Sequence, residues 1–391
     1  MVRPLHILTL STLFPNDQSP NFGIFVERQT AELASRPEAD VRIINPIGIA
    51  PAPLKFLPPY PALRNLADFE LWHSLPVYRP RFTLIPKFGG ASNPARIAKA
   101  ILPLAERLHK EKPFDLIDAE FFYPDGPAAM HLAASLNIPF TIKARGADIH
   151  YWGSQSQCRP QILAAAQKAS GLLAVSQALK QDMIALGMDS QKITVHYTGL
   201  DRDKFKPVDR LVAKKKLKVK GPLFISVGAL IERKNQALVI QAMTAIPSAT
   251  LILAGSGDQE KSYRALAQKL GVTDQVRFLG NVPHDALPEL VAAADIAILP
   301  SKSEGLANAW VEALSCGTPI IISNAGGAKE LIATGQAGRI VDQNSKAIIA
   351  AIQEILANPP PQQAVRASVD QFSWQNNGDI LINFFTDIIK R

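Results

Sequence analysis

The sequence predicts an α/β protein of two domains, each built on a parallel sheet. Three observations carry that expectation. Short apolar runs alternate with stretches of helical periodicity through brief connections, the pattern of parallel strands joined by crossover helices. A chain of 391 residues exceeds what one ordinary core fills, so two domains are expected. Hydrophobic residues make up 47% of the chain, enough to fill two interiors.

Composition narrows the class. The net charge is +8, and residues 1–200 and 201–391 each contribute +4. The excess is therefore no basic tail; it suits anionic substrates or an anionic membrane face. No nucleic-acid motif, zinc spacing or Gly-x4-Gly-Lys loop occurs, and nucleic acid is not expected as a partner. Cys158 and Cys316 lie far apart, which argues for a reducing, cytoplasmic setting and against a disulfide framework. Residues 1–14 are apolar but interrupted by Pro4 and His6, and read as a buried strand, not a signal peptide. No apolar run approaches a bilayer span.

The first half opens with a strand at residues 5–10, a polar stretch at 12–22 and a helix from Gly23 to Leu33. Gly23 serves either the turn alone or the close approach of a ligand to backbone. Residues 41–44 form the second strand. Residues 46–95 then break the pattern with ten prolines, and with Tyr60, Phe69, Trp72, Tyr78, Phe82 and Phe88 among Arg64, Arg79, Arg81 and Lys87. So long a segment is expected to be functional or mobile. Its aromatics either pack onto the sheet, the favoured reading, or touch a membrane surface or lipid-linked acceptor. A helix at 96–112 and a strand at 115–120 come next. Asp125 is placed to cap a helix through Ala134. The strand at 140–143 ends in Arg145 and Asp148, where α/β sheets gather their sites. Asp148 suits an acceptor hydroxyl or a helix cap. Strands at 171–176 and 193–195 complete this half.

The second half repeats strand and helix, with strands at 223–227, 250–253, 275–279, 295–299, 320–322 and 339–341. Lys214, Lys215 and Lys216 read as a solvated helix face. Arg233 and Lys234 follow the first of these strands, where two adjacent cations suit a diphosphate. Gly255-Ser256-Gly257 has Glu260 where a dinucleotide fingerprint needs glycine, and reads as a turn. Gly326-Gly327 is a structural turn into a helix. The densest chemistry lies at 303–319. Glu304 sits in the loop after the fourth strand, and Glu312 sits inside a helix that starts near Ala307. The open N–H groups of Asn308 and Ala309 lie between them, a phosphate site with an acid on either flank. Carboxylates accept from hydroxyls, so a ligand with diphosphate in the middle and hydroxyls at both ends fits, as in a nucleotide sugar. The plain alternative is two solvated acids.

The string Glu304-Gly305, Glu312-Ala313 and Gly317-Thr318-Pro319 resembles the signature of the family-4 retaining glycosyltransferases. That resemblance implies the GT-B fold, two Rossmann-like parallel-sheet domains facing a cleft. It extends to residues 23–29, similar to exopolysaccharide and teichuronic-acid-type members, to the interdomain phrase at 198–207, and to 279–283. It implies an acceptor-side domain at 1–199, rejoined by a helix at 374–391, and a donor-binding domain at 200–373. Asp201-Arg202-Asp203, formally a metal motif of another fold, then falls in the linker. The resemblance assigns sugar hydroxyls to Glu304, ribose to Glu312 and the nucleobase to Val282. The diphosphate falls to Arg233, Lys234 and the backbone of Gly23, Asn308 and Ala309, and Gly305 is counted with the donor-binding residues. Arg145 stands where many members carry His, and its guanidinium suits a donor phosphate or an acceptor anion. Ala229 stands where an arginine is frequent, with Arg233 as its substitute.

The activity this resemblance implies is transfer of a sugar, with retention, from a UDP- or GDP-sugar to a glycan or lipid-linked acceptor in cell-envelope polysaccharide synthesis. No cofactor or metal is implied, and peripheral contact with the inner membrane surface is. Two alternatives stay open. A nucleotide-sugar epimerase or hydrolase on the same fold would want a carboxylate or histidine near the anomeric carbon. A non-catalytic two-lobed sugar-binding protein working in the periplasm would want an export signal.

Overall fold

The computed structural model describes residues 3–86 and 89–390. The chain divides into two compact units, one of Met1–Thr198 with Trp374–Arg391 and one of Gly199–Ser373.

The first unit contains β1 (Leu5–Leu10), β2 (Ala39–Ile44), β3 (Ile47–Ile49), β4 (Phe69–Trp72), β5 (Leu75–Tyr78), β6 (Arg81–Thr83), β7 (Leu116–Ala119), β8 (Phe140–Ala144), β9 (Gly171–Ala174) and β10 (Ile193–Val195). Its main sheet runs β10-β9-β8-β7-β1-β2-β5-β4, and β3 pairs with β6 apart from it. Every neighbouring pair is parallel except the hairpin β4–β5. Parallel strands are covered on both faces, and β7 and β8 are accordingly buried throughout. Strand order reverses between β1 and β7, which makes their carboxyl ends a topological switch point. The helix Trp374–Ile389 buries Leu381, Phe385 and Ile388 among Val26, Leu33, Val41 and Val77. Those three recur at i, i+4 and i+7, one apolar stripe of a helix. Arg36 pins it through Asp379 at 2.5 Å and the Gln375 carbonyl at 2.7 Å.

The segment 46–95 corrects the expectation of irregular chain, since it carries β3 to β6. The turn between β4 and β5 puts His73 at φ 46° and Ser74 at φ 71°, the geometry of a primed two-residue turn that ordinarily selects Asn and Gly. His-Ser carries no such signal. Arg79, one of the basic residues set against a membrane in the alternative reading, is fully buried. It donates to Glu70 Oε1 at 2.7 Å, to the Pro15 carbonyl at 2.8 Å and to Asn45 Oδ1. Phe82 is buried and Phe69 exposed. Lys87 and Phe88 lie outside the described residues.

The second unit contains β11 (Leu223–Val227), β12 (Thr250–Ala254), β13 (Val276–Gly280), β14 (Ile296–Leu299), β15 (Ile320–Ser323) and β16 (Gly338–Val341). The sheet runs β13-β12-β11-β14-β15-β16, parallel throughout. This is the doubly wound Rossmann order, with its switch point between β11 and β14. Phe224, Leu251, Leu253, Ile296, Ile298 and Ile321 fill the interior with Ile348 and Ile352.

Local contacts add one helix cap and correct two expectations. Ser176 caps the helix Gln177–Leu186 by accepting from the Leu179 N–H at 3.1 Å. Asp125 is no cap: it is the first residue of Asp125–Leu136, and its Oδ2 accepts from the Thr12 N–H at 2.9 Å. Lys214 is not solvated either, because it pairs with Asp295. In the interdomain phrase Asp201 closes a turn on the Lys204 N–H at 3.0 Å, and Arg202 pairs with Asp370 at 2.6 Å. No helix among the described residues is long and apolar enough to cross a membrane.

Candidate active site

The chemistry of the second unit gathers at its switch point. The loop after β11 and the loop after β14 are bonded together, with the Lys302 N–H on the Arg233 carbonyl at 2.8 Å. Arg233 Nη1 returns a bond to the Ser303 carbonyl at 2.5 Å. Glu304 projects between the cations. Its Oε1 accepts from Lys234 Nζ at 2.5 Å, and its Oε2 is 3.3 Å from Arg233 Nη1. Only 8% of this carboxylate is exposed. Burial alone would raise its pKa, but the charges of Lys234 and Arg233 outweigh it and hold Glu304 below the usual carboxylate range. The plain alternative of a solvated acid therefore fails for Glu304, which is buried and paired. The two cations set aside for a diphosphate are engaged with it.

Behind this loop stands Gly326. It sits at φ 49°, and a Cβ there would lie 2.3 Å from the Glu304 carbonyl oxygen. The Gly327 N–H donates to the Gly305 carbonyl at 2.9 Å. The turn that reads as merely structural therefore forms the back wall of the Glu304-Gly305 loop.

The helix Asn308–Ser315 starts at Ala307, which offers no side-chain cap. The Trp310 N–H turns back to the Ala307 carbonyl at 3.0 Å, and the N–H groups of Asn308 and Ala309 receive no side-chain cap. Trp310, Val311 and Leu314 face the core, which turns Asn308, Ala309 and Glu312 to the other side. Glu312 lies one turn, about 6 Å, along from Asn308. Its Oε1 is 2.7 Å from His284 Nε2. Val282 is half-buried at the end of β13, in a loop where Ser256 Oγ donates to Asn281 Oδ1 at 2.7 Å. Gly255, at φ 148°, lets that region close on β11: a Cβ would lie 2.0 Å from the Gly228 carbonyl oxygen.

The first unit holds a second polar cluster at its own switch point. Arg145 pairs with Glu120, donates from Nε to the Glu120 carbonyl at 2.8 Å, and lies 4.7 Å from the Phe25 ring centroid. Glu120 also accepts from Gln29. Lys143 donates to Gln29 and lies 2.8 Å from His196 Nδ1, while His196 Nε2 donates to the Asn377 carbonyl at 2.9 Å. Burial and the nearby Lys143 keep His196 neutral. Burial, aided by the charge of Arg145, pushes Lys143 down to about 7. Burial and Glu120 push Asp118 well above the usual carboxylate range, whereas the charges of Arg145 and Lys143 outweigh burial and hold Glu120 below it. Gln29, Asp118, Glu120, Lys143, His196 and His284 escape the sequence reading. A weak signal exists in Glu120 and Lys143, polar groups at the ends of apolar runs.

Two expected site residues acquire structural tasks here. Asp148 is fully buried, and its oxygens accept from the backbone N–H groups of Phe122 at 2.8 Å, Arg145 at 3.0 Å and Gly146 at 2.8 Å. The carboxylate holds the turn on which Arg145 stands. Gly23 is buried at φ 73°, where a Cβ would lie 2.4 Å from the Leu13 carbonyl carbon. The turn itself requires glycine.

Comparison with known proteins agrees with this architecture. The family described as Glycosyltransferase Family 4 matches residues 26–204, and that described as Glycosyl transferases group 1 matches residues 208–371. The chain belongs to these glycosyltransferases, and its fold is GT-B. The protein named "Putative teichuronic acid biosynthesis glycosyltransferase TuaC" of Bacillus subtilis is 27% identical over 89% of this chain and 88% of its own. A GDP-mannose-dependent alpha-(1-6)-phosphatidylinositol monomannoside mannosyltransferase of Mycolicibacterium smegmatis is 28% identical over 46% of this chain, which spans 52% of that protein. Among solved structures, sucrose-phosphate synthase of Thermosynechococcus elongatus superposes with TM-score 0.81 at 20% identity over 99% of both chains. Anabaena HepE in complex with UDP and glucose superposes with TM-score 0.75 at 23% identity, over 97% of this chain and 99% of its own. These structures share the fold.

Proposed function

We propose that the chain moves a sugar from a nucleoside diphosphate sugar, with a uridine or guanosine base, to a glycan or lipid-linked acceptor of the cell envelope, with retention of anomeric configuration. One observation carries this reading: a buried glutamate clamped by two cations beside an uncapped helix start, with a second glutamate one turn along. In this reading the diphosphate meets the N–H groups of Asn308 and Ala309 and the cations Arg233 and Lys234. Lys234 spends one of its three donors on Glu304, and the guanidinium of Arg233 is 40% exposed, so both retain donors for phosphate oxygens. Glu304 takes the hexose hydroxyls, Glu312 the ribose hydroxyls, and Val282 packs on the base.

The acceptor oxygen attacks the anomeric carbon on the face the diphosphate leaves. The carbon–oxygen bond to the diphosphate breaks, and the acceptor's proton passes to the departing diphosphate. The products are the glycoside and a nucleoside diphosphate. The protein orients the two substrates and stabilises the negative charge that develops on the leaving group; Lys234 and Arg233 supply the opposing positive charge without a metal. Arg145, held by Glu120 and by the Asp148 turn, meets an anionic group of the acceptor. Leu54, Phe56 and Leu57 are exposed, with Lys55 Nζ 5.1 Å from the Phe56 ring centroid, and give the first unit an edge for peripheral contact with a membrane. The names of TuaC and of the mycobacterial mannosyltransferase support an envelope acceptor.

The test begins with thermal shifts against UDP- and GDP-sugars, since a true donor in excess over its Kd raises the melting temperature. Transfer by Glu304→Ala should then fall on the order of a hundredfold or more, while Glu312→Ala mainly weakens donor binding. Near-wild-type turnover in Glu304→Ala would remove that residue from the site.

A further inference from the structure

His284 comes directly after Asn281-Val282-Pro283 and opens the turn His284–Ala286. Its Nε2 lies 2.7 Å from Glu312 Oε1, and both side chains are largely buried. An ionised carboxylate can only accept, so Nε2 carries the proton and donates. The imidazole is also held from its other side. The Phe205 ring meets it edge-on, with centroids 5.1 Å apart and planes at 68°. The Phe205 carbonyl in turn accepts from Ser315 Oγ at 2.5 Å and from Arg366 Nη1 at 2.9 Å. Ser315 lies three residues beyond Glu312 on the same helix. The contacts close a circuit: Glu312 to His284, His284 to Phe205, and Phe205 back to the Glu312 helix.

We propose that His284 is a positioning residue for the ribose of the nucleotide, fixing one oxygen of Glu312 so that the other is presented to the vicinal hydroxyls. This rests on the assignment of Glu312 to the ribose. A free glutamate on a helix surface loses rotamer freedom when a ligand orders it, and that loss opposes binding. With Oε1 already bonded to an imidazole trapped against Phe205, the ordering is complete before the nucleotide arrives. The two glutamates are then held by different means. Glu304 is fixed by the cations that also meet the diphosphate, and Glu312 by a ring belonging to the segment that meets the base. Base and ribose are thereby registered to one another through a single side chain.

The test is calorimetric binding of UDP, GDP and ADP to the full chain. It compares wild type, His284→Phe, His284→Gln, Glu312→Ala, and His284→Phe combined with Glu312→Ala. Phenylalanine keeps a ring against Phe205 but has no donor, and glutamine restores an N–H. His284→Phe should weaken the tightest-bound nucleotide about tenfold, the scale of one hydrogen bond to a charged group. His284→Gln should recover most of that, and His284→Phe should add nothing once Glu312 is alanine. The 2′-deoxy form of the same nucleotide should cost wild type more affinity than it costs His284→Phe. Melting curves identify any variant that loses its fold, and His284→Leu replaces the Phe variant in that event. If His284→Phe binds like wild type while Glu312→Ala is weakened, the positioning role is overturned and the ribose assignment stands. If the two losses add in the combined variant, His284 acts on the ligand by itself and the positioning role is again overturned. If Glu312→Ala binds like wild type, or no nucleotide binds wild type, the ribose assignment fails and this inference with it.

Discussion

Lys143 lies in β8, as its place in an apolar run implies, but its buried amine belongs to a polar cluster that the run does not announce. It lies inside the first unit among Gln29, Glu120, Arg145 and His196, with its pKa lowered from 10.5 to about 7 by burial and by Arg145. In the unfolded chain the amine keeps its ordinary affinity for protons, so between those two values the unfolded state binds more of them. Stability must then rise with pH across that window, and the penalty for burying the amine is fully present below about 7. Lys143→Met removes the titrating group. Its denaturation midpoint should climb less than that of wild type between neutral and alkaline pH, whatever the substitution does to stability overall. Parallel slopes would show that Lys143 keeps an ordinary affinity for protons.

At the scale of elements, the loops of the second unit depend on glycines for closeness rather than for flexibility. Gly326 and Gly271 both sit at positive φ, 49° and 70°, but only at Gly326 would a Cβ collide, 2.3 Å from the Glu304 carbonyl oxygen, whereas Gly271 has nothing within 4 Å. Alanine at either should cost about 1–2 kcal/mol for the backbone conformation. Gly326→Ala alone should also lose sugar transfer, because Glu304 must move off Lys234. Melting curves and transfer rates of the two variants decide this, and equal activity in both would sink it. The strands of this unit are legible in the sequence because each is a short, mainly apolar run bounded by glycine or proline, with Arg277 in β13 and Arg339 in β16 as the charged interruptions. The hairpin β4–β5 is not, because His73 and Ser74 adopt turn angles that their chemistry does not advertise. The helix start at Asn308 is legible from the string that runs between Glu304 and Glu312. The partners of those acids are less so, since His284 meets Glu312 across 28 residues and Lys234 meets Glu304 across 70. Glu120, Lys143 and His196 become a cluster only once the four strands β7 to β10 lie side by side.

For the whole molecule, the first unit is discontinuous in sequence. Residues 199–373 form the second unit, and the chain then returns to supply Leu381, Phe385 and Ile388 to the core begun by β1 and β2. Phe385→Ala should cost the first unit about 3–5 kcal/mol, the usual penalty for emptying a buried aromatic site. Differential scanning calorimetry should show that loss in one transition, while the transition that responds to a nucleoside diphosphate keeps its midpoint. A single transition displaced by both would rule out independent units. The returning helix also sets an order of events during synthesis. The segment that buries Val26 and Leu33 is translated after the entire second unit, so those side chains wait uncovered on the nascent chain until that unit has been made. The half of the enzyme that leaves the ribosome first is the half that finishes folding last, and in that interval its bare flank is a natural client for a chaperone.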